Sequence, residues 1–349
     1  MTSKTNRLIK RFFLILLGLM LVLALIYHEL IVYGIRQAGG QLNIIWNARP
    51  VGEFMADPGF PDSLKAKLKL IDEVRRFAID SLGLKDTENY RTMYDQKGKE
   101  VMWVVMAAKP FKLEPYEWRF PVIGAVPYKG FFREELALDL KDELEREGWD
   151  VIVRNPGGWS TLGWFTDPIL SKMLERGDGD LANLIIHEMS HATIFVKDSV
   201  DFNENLATFI GDRGAEKFLI AHYGAGSREY LEYIGEDKDY LKYVEHMLRG
   251  AAILDSLYSQ MREEQPKQDK LRLKETTIRK IVEAMDTLDL QVMRNPGRRF
   301  RNNLPNNASF INFRQYQASQ EIFYIEWEKH FNKDLKAYIA YLSEKYPFL

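Results

Sequence analysis

The sequence predicts an α+β protein, with an N-terminal transmembrane helix followed by a unit that has a small β-sheet and a predominantly helical C-terminal half. Three observations predict it. A long uncharged apolar run lies near the N-terminus, short β-rich runs cluster between residues 101 and 153, and helical periodicity prevails from Leu181 onward. Strands first and helices afterwards is the order of an α+β fold rather than of alternating βα units.

Residues 1–11 carry Lys4, Arg7, Lys10 and Arg11 and no acid. Phe12 to Tyr27 is apolar throughout, and after His28 and Glu29 the apolar run resumes as LIVYGI. Residues 12–35 therefore read as an uncleaved signal anchor, since a bilayer core takes roughly 17–25 helical residues. A cleaved signal peptide is the rival reading, but no small-residue cleavage site follows the run. The basic flank places residues 1–11 in the cytoplasm and residues 36–349 outside it, with the membrane as a partner through the helix. Ser63 to Leu82 repeats Leu64, Leu68, Ile71, Val74, Phe77 and Ala78 at helical spacing and stops at Gly83. Val101–Ala107, Phe120–Val126 and Asp150–Val153 read as short strands. Tyr240–Arg262 and Lys270–Leu290 read as antiparallel helices around a turn at Pro266, and Gln317–His330 and Asp334–Glu344 as two closing helices.

Lys and Arg number 48 against 50 Asp and Glu, a net charge of −2, which gives no electrostatic basis for a nucleic-acid partner. The 46% hydrophobic content excludes a disordered chain. Cysteine is absent, so disulfides, thiolate metal sites, a cysteine nucleophile and a thiol-linked lipid are all excluded. Any metal must be held by imidazole and carboxylate. Six histidines are available, and His28, His222, His246 and His330 carry no ligand spacing.

The other two stand in Asp180–Thr208. Leu181, Leu184, Ile185, Ala192 and Phe195 form an apolar stripe that places His187-Glu188-Met189-Ser190-His191 on a buried helix, with Asp180 as its N-cap. His187 and His191 are one turn apart on one face, so both imidazoles can converge on one ion at about 2.0–2.1 Å. Glu188 stands beside them as a base, the H-E-x-x-H arrangement of zinc peptidases. A solvated face carrying these residues by chance is the bland explanation. The apolar flanks oppose it, because burying three ionisable groups without pairing or metal costs several kcal/mol, about 2–7 for even one unpaired polar group.

A catalytic zinc needs a third protein ligand. Ile194 and Lys197 stand where the metzincin extension requires Gly and His, which excludes that class. Asn203-Glu204-Asn205-Leu206-Ala207 follows, on a second helix starting near Asn203. It resembles the N-E-x-x-A element of the gluzincins, in which Glu is the third ligand, although Glu204 lies closer to the first helix than in that class. Asp201 competes with Glu204 for the role. Asp212, two turns past Glu204, is a candidate support for the ligands.

Further blocks accompany these. They are QAGGQL (Gln37–Leu42), W-R-F-P-V-I-G (Trp118–Gly124) with Pro127-Tyr128-Lys129-Gly130, W-S-T-L-G-W-F-T-D-P (Trp159–Pro168), F-N-E-N-L-A-T-F (Phe202–Phe209) and N-N-A (Asn306–Ala308). Together with H-E-M-S-H they resemble the predicted bacterial membrane-attached aminopeptidases, a family of zinc peptidases, over most of residues 36–349. The resemblance implies a zincin-like fold, a Zn²⁺ cofactor, a peptide or protein substrate and a catalytic unit on the periplasmic face of the bacterial inner membrane. "Aminopeptidase" is inherited with the family, because the G-x-M-E-N element that one gluzincin family uses to hold a substrate's ammonium is missing.

Ser160, Thr161, Leu162 and Gly163, just before the metal helix, are the candidate edge strand that binds a substrate backbone, with a packed loop as the alternative. Tyr128 and Tyr316 are candidate oxyanion donors, with a structural role as the default for each. Asn306 and Asn307 fit a helix cap or a cleft wall, and Arg294, Arg298, Arg299 and Arg301 fit a solvated loop. The expected chemistry is zinc-dependent peptide hydrolysis, with His187, His191 and Glu204 as ligands and Glu188 as general base. The alternative is a non-catalytic, membrane-tethered zinc-binding scaffold or chaperone-like protein.

Overall fold

The computed structural model describes residues 2–120, 124–156, 166–197, 199–315 and 320–346. It divides into two compact units, Met1–Asn47 and Ala48–Leu349.

The first unit is helical, with α1 over Thr2–Ile26 and α2 over His28–Asn47. This corrects the expected fold class. The apolar segment 12–35 is divided between two helices at Tyr27, and among the described residues no helix is long and apolar enough to cross a membrane. The physical reason is length. Within α1 the apolar run ends at Ile26, and Phe12–Ile26 is about 22 Å of helix at 1.5 Å per residue, short of the roughly 30 Å of a hydrocarbon core. His28 and Glu29 then open α2 with polar side chains.

The second unit is mainly helical with small sheets. It opens with β1 (Arg49–Pro50), α3 (Val51–Ala56) and α4 (Asp62–Asp80), followed by β2 (Thr92–Tyr94), β3 (Trp103–Ala108), β4 (Trp118–Phe120), β5 (Gly124–Val126) and β6 (Lys129–Phe131). After α5 (Glu134–Arg146) come β7 (Asp150–Arg154) and β8 (Ile169–Leu170). The rest is α6 (Asp178–Thr193), α7 (Val200–Tyr223), α8 (Arg228–Ser259), α9 (Lys267–Ala284), α10 (Asn307–Gln315), α11 (Gln320–Phe331) and α12 (Leu335–Lys345).

The expected single sheet is three fragments. Strands β1 and β2 pair antiparallel and β2 with β8 parallel, β3 sits between β6 and β7 in antiparallel register, and β4 pairs with β5. Val104–Ala108 are all buried, as befits a central strand covered on both faces. The strand expected over Phe120–Val126 is instead two antiparallel strands. Gly124 at φ +76° supplies the left-handed conformation that glycine adopts without steric cost where the second one begins.

The largest described apolar cluster joins α8, α9 and α10 through Tyr243, Met247, Leu254, Ile281 and Phe310. A second, aromatic group surrounds Phe209 of α7, which meets Phe323 and Trp327 of α11 and Tyr338 of α12 edge-on or tilted. Helix α7 packs against α6, α8, α11 and α12, and this packing positions the candidate site.

Candidate metal centre

Helix α6 begins at Asp178, two residues before the expected cap, and Asp178 and Asp180 both lie in its first turn, where the dipole favours negative charge. Buried Leu181, Ala182, Ile185, Ile186, Met189 and Ala192 lock it into the core. The helix ends at Thr193, and Ile194 turns the chain into an extended conformation with its side chain buried. Asn203 shapes the return. Its Oδ1 accepts from Val196 N–H at 2.8 Å and its Nδ2 donates to the Val196 carbonyl at 2.8 Å, clamping the connection onto the second turn of α7. Glu204 is the next residue.

The two helices approach closely. A methyl group at Gly211 of α7 would lie 2.9 Å from Asn183 Oδ1 and 3.2 Å from His187 Cβ, so only glycine fits at this crossing. Glu204 is thereby carried to the histidine pair. His187 Nε2 and His191 Nε2 are 3.2 Å apart, Glu204 Oε1 is 3.4 Å from His191 Nε2, and Glu204 Oε2 is 3.6 Å from His187 Nε2.

These separations test the fit of a metal. Ligand atoms bonded tetrahedrally at about 2.0–2.1 Å are about 3.3–3.4 Å apart. The three separations, two of them to different oxygens of Glu204, bracket that value, and the three residues each offer a ligand atom within 4.8 Å of the others. The electrostatics agree. Burial disfavours the charged His187 imidazolium, yet the Glu204 hydrogen bond with Glu188 and Asp212 holds its pKa above the ordinary value, so the site favours positive charge. Burial pushes the Glu204 carboxyl up, but His187 and His191 outweigh it and hold it below its usual range. Burial and the neighbouring His187 push His191 down to about 4, so it stands as the neutral imidazole a metal ligand requires. The residues present fit a divalent cation with two nitrogen donors and one oxygen donor.

Glu188 is buried beside the cluster. Behind His187, Asn183 Nδ2 donates to Asp212 Oδ1 at 2.6 Å and to Tyr233 Oη at 2.8 Å. Burial and Asp237 push Asp212 up to about 6, and its charge reaches His187. Asp212 thus lies near the ligands, with its hydrogen bond directed to Asn183.

The other expected residues scatter. Ser160, Thr161, Leu162, Gly163 and Tyr316 lie outside the described residues, as does the side chain of Asp201. Tyr128 is exposed between β5 and β6. Asn306 and Asn307 are structural. Asn306 donates to the Val151 carbonyl, and buried Asn307 accepts from Tyr258 and donates to the carbonyls of Lys109 and Pro110. Arg299 donates to the Tyr243 hydroxyl and Arg301 pairs with Asp286. Absent from the sequence reading are the roles of Asn203, Gly211, Asn183 and Tyr233. Only Asn203 carried a signal, its place before Glu204; the others become visible when distant segments meet.

Fold and cluster together define a mainly helical protein with a His–His–Glu group that could hold a metal. Residues 32–345 match the family described as "Putative aminopeptidase", and the chain belongs to that family. Membership supports a peptidase and implies a peptide substrate. No curated protein and no solved structure matches the chain.

Proposed function

We propose that this protein is a zinc-dependent peptidase in which His187, His191 and Glu204 hold the ion and Glu188 is the general base. The observation that carries the reading is the meeting of two imidazoles, 3.2 Å apart at Nε2, with the two oxygens of the Glu204 carboxylate at 3.4 and 3.6 Å, one residue from a buried glutamate. A structural metal site has no use for such a neighbour, and imidazole with carboxylate in the absence of thiolate suits zinc. The ion supplies Lewis acidity, acidifying water towards a pKa of about 7 and polarising a peptide carbonyl. Glu188 takes one proton from the attacking water as the C–O bond forms and returns it to the amine nitrogen as the C–N bond then breaks. His187 and His191, fixed one turn apart by a buried helix, hold the donor geometry without reorganisation. Glu204 adds the negative charge that balances the cation.

Glu188→Gln tests this in the full chain. It is expected to retain one zinc per chain, by elemental analysis, and to lose about 10²–10⁴-fold in peptide hydrolysis, the usual worth of a general base. Unchanged turnover in the metal-loaded variant refutes the mechanism.

A further inference from the structure

Helices α6 and α7 meet along one strip. His187 and His191 face Glu204, and one turn back along α6 Asn183 faces Gly211 and Asp212, about two turns along α7 from Glu204. Much of the strip is close backbone approach. A methyl group at Gly211 would lie 3.2 Å from His187 Cβ, and one at Gly214 would lie 2.8 Å from Ile186 Cγ2. Contacts of this kind are non-directional, so they resist a small slide of one helix along the other only weakly, whereas a hydrogen bond is directional. Asn183 supplies that direction. Its Nδ2 spends both protons, one on Asp212 Oδ1 of α7 at 2.6 Å and one on Tyr233 Oη of α8 at 2.8 Å. Tyr233 is buried, and its ring is seated on Gly179, one turn before Asn183, where a methyl group would lie 2.4 Å from Tyr233 Cδ2. One amide thus ties three helices together, a single turn from His187. An apolar residue could fill this place beside Ile186, Gly211 and Gly214. A polar group with its protons bonded inside a helix interface serves instead to fix register, which is the best-attested use of such groups.

We propose that Asn183 is a positioning residue for the metal ligands: by tying α6 to Asp212 and Tyr233 it sets the axial register at which Glu204 reaches His187 and His191. It rests on the reading of those three residues as the ligands of one ion. A slide of one residue displaces a helix by about 1.5 Å along its axis. That is most of a metal–ligand bond of about 2.0–2.1 Å, so it would carry Glu204 out of reach of an ion held by the imidazoles. Asn183 touches neither the ion nor a substrate; it acts through the helix that carries His187 and the helix that carries Glu204.

The test compares three full-chain variants that all keep the wild-type net charge. Asn183→Ala removes both hydrogen bonds, and Tyr233→Phe removes one while leaving the ring on Gly179. Asn183→Asp combined with Asp212→Asn keeps both with the donors reversed, since the amide now on α7 and the Tyr233 hydroxyl donate to the carboxylate now on α6. Zinc affinity is read by competition with a chromogenic chelator, and ligand geometry by the visible absorption of cobalt-loaded protein. The zinc dissociation constant should rise about 10–100-fold in Asn183→Ala, with an altered cobalt spectrum, rise less in Tyr233→Phe, and return to within about threefold of wild type, with the wild-type spectrum, in the exchanged pair. A merely structural amide would lower the urea midpoint of Asn183→Ala and leave the zinc affinity and cobalt spectrum of the folded protein unchanged; that result overturns the inference, as does an exchanged pair that binds zinc no better than Asn183→Ala. If Asn183→Ala does not fold, Tyr233→Phe decides, and wild-type zinc affinity there overturns the register lock. Wild type that binds zinc and cleaves no peptide removes the peptidase reading and leaves these affinities to judge Asn183, whereas wild type that binds no zinc overturns both.

Discussion

Asn203 offers the most direct way to disturb the centre without touching a ligand. Its buried amide exchanges two 2.8 Å hydrogen bonds with Val196 and so closes the connection that delivers Glu204. Asn203→Ala removes both. At about 0.5–1.5 kcal/mol net for each, the loss is about 1–3 kcal/mol of stability, larger where the half-buried Val196 groups find no water. The released connection lets Glu204 drift from its 3.4 and 3.6 Å separations. Residues that hold a ligand in place are worth about 10–100-fold in metal affinity, or about 1.4–2.7 kcal/mol at tenfold per 1.4 kcal/mol. Urea unfolding of metal-free protein measures the first quantity, and competition for zinc against a chromogenic chelator the second. Asn203→Asp is the partner experiment. It keeps the acceptor for Val196 N–H, loses the donor to the carbonyl and adds a charge beside Glu204, so its stability should fall at or below that of wild type. Wild-type unfolding and wild-type zinc affinity in Asn203→Ala would together refute the clamp.

Two further outcomes are expected. Gly211→Ala gains about 1 kcal/mol of helix propensity but drives a methyl group to 2.9 Å from Asn183 Oδ1. The overpacking cost of about 1–3 kcal/mol should exceed that gain, lowering both the melting temperature and zinc affinity; an unchanged zinc affinity would show that the helix crossing does not set the ligand spacing. Asp239 is buried in α8, and although burial pushes its carboxyl up, the N–H groups of Gln291, Val292 and Met293 hold it below its ordinary value. A depressed folded pKa contributes stability above the unfolded value of about 3.9 that is lost as pH falls through the folded one. Asp239→Asn should therefore be about 1–3 kcal/mol less stable at pH 7, with the gap closing below about pH 4; a gap independent of pH would disprove the charged role.

Local patterns reached far along the chain, and their failures have physical causes. Helices with long apolar stripes, such as α4, α8 and α9, were visible because periodicity needs no knowledge of what covers the stripe, though α8 extends twelve residues N-terminal to the expected start, where polar residues dilute the pattern. The segment over Phe120–Val126 looked like one strand because a short apolar run does not reveal that Phe120 and Gly124 pair antiparallel across two strands. The segment 12–35 looked long enough for a membrane because composition does not show that the helix breaks at Tyr27.

What the amino-acid order determined unaided is the pairing of His187 with His191 and the placement of Glu188 beside them, because the helical repeat alone brings residues four apart onto one face. Tertiary structure alone decided that Glu204 meets both imidazoles and that Asn203 and Gly211 hold its helix there. Those relations join separate helices, and their distances are set by close packing of side chains, which no spacing along a single chain encodes.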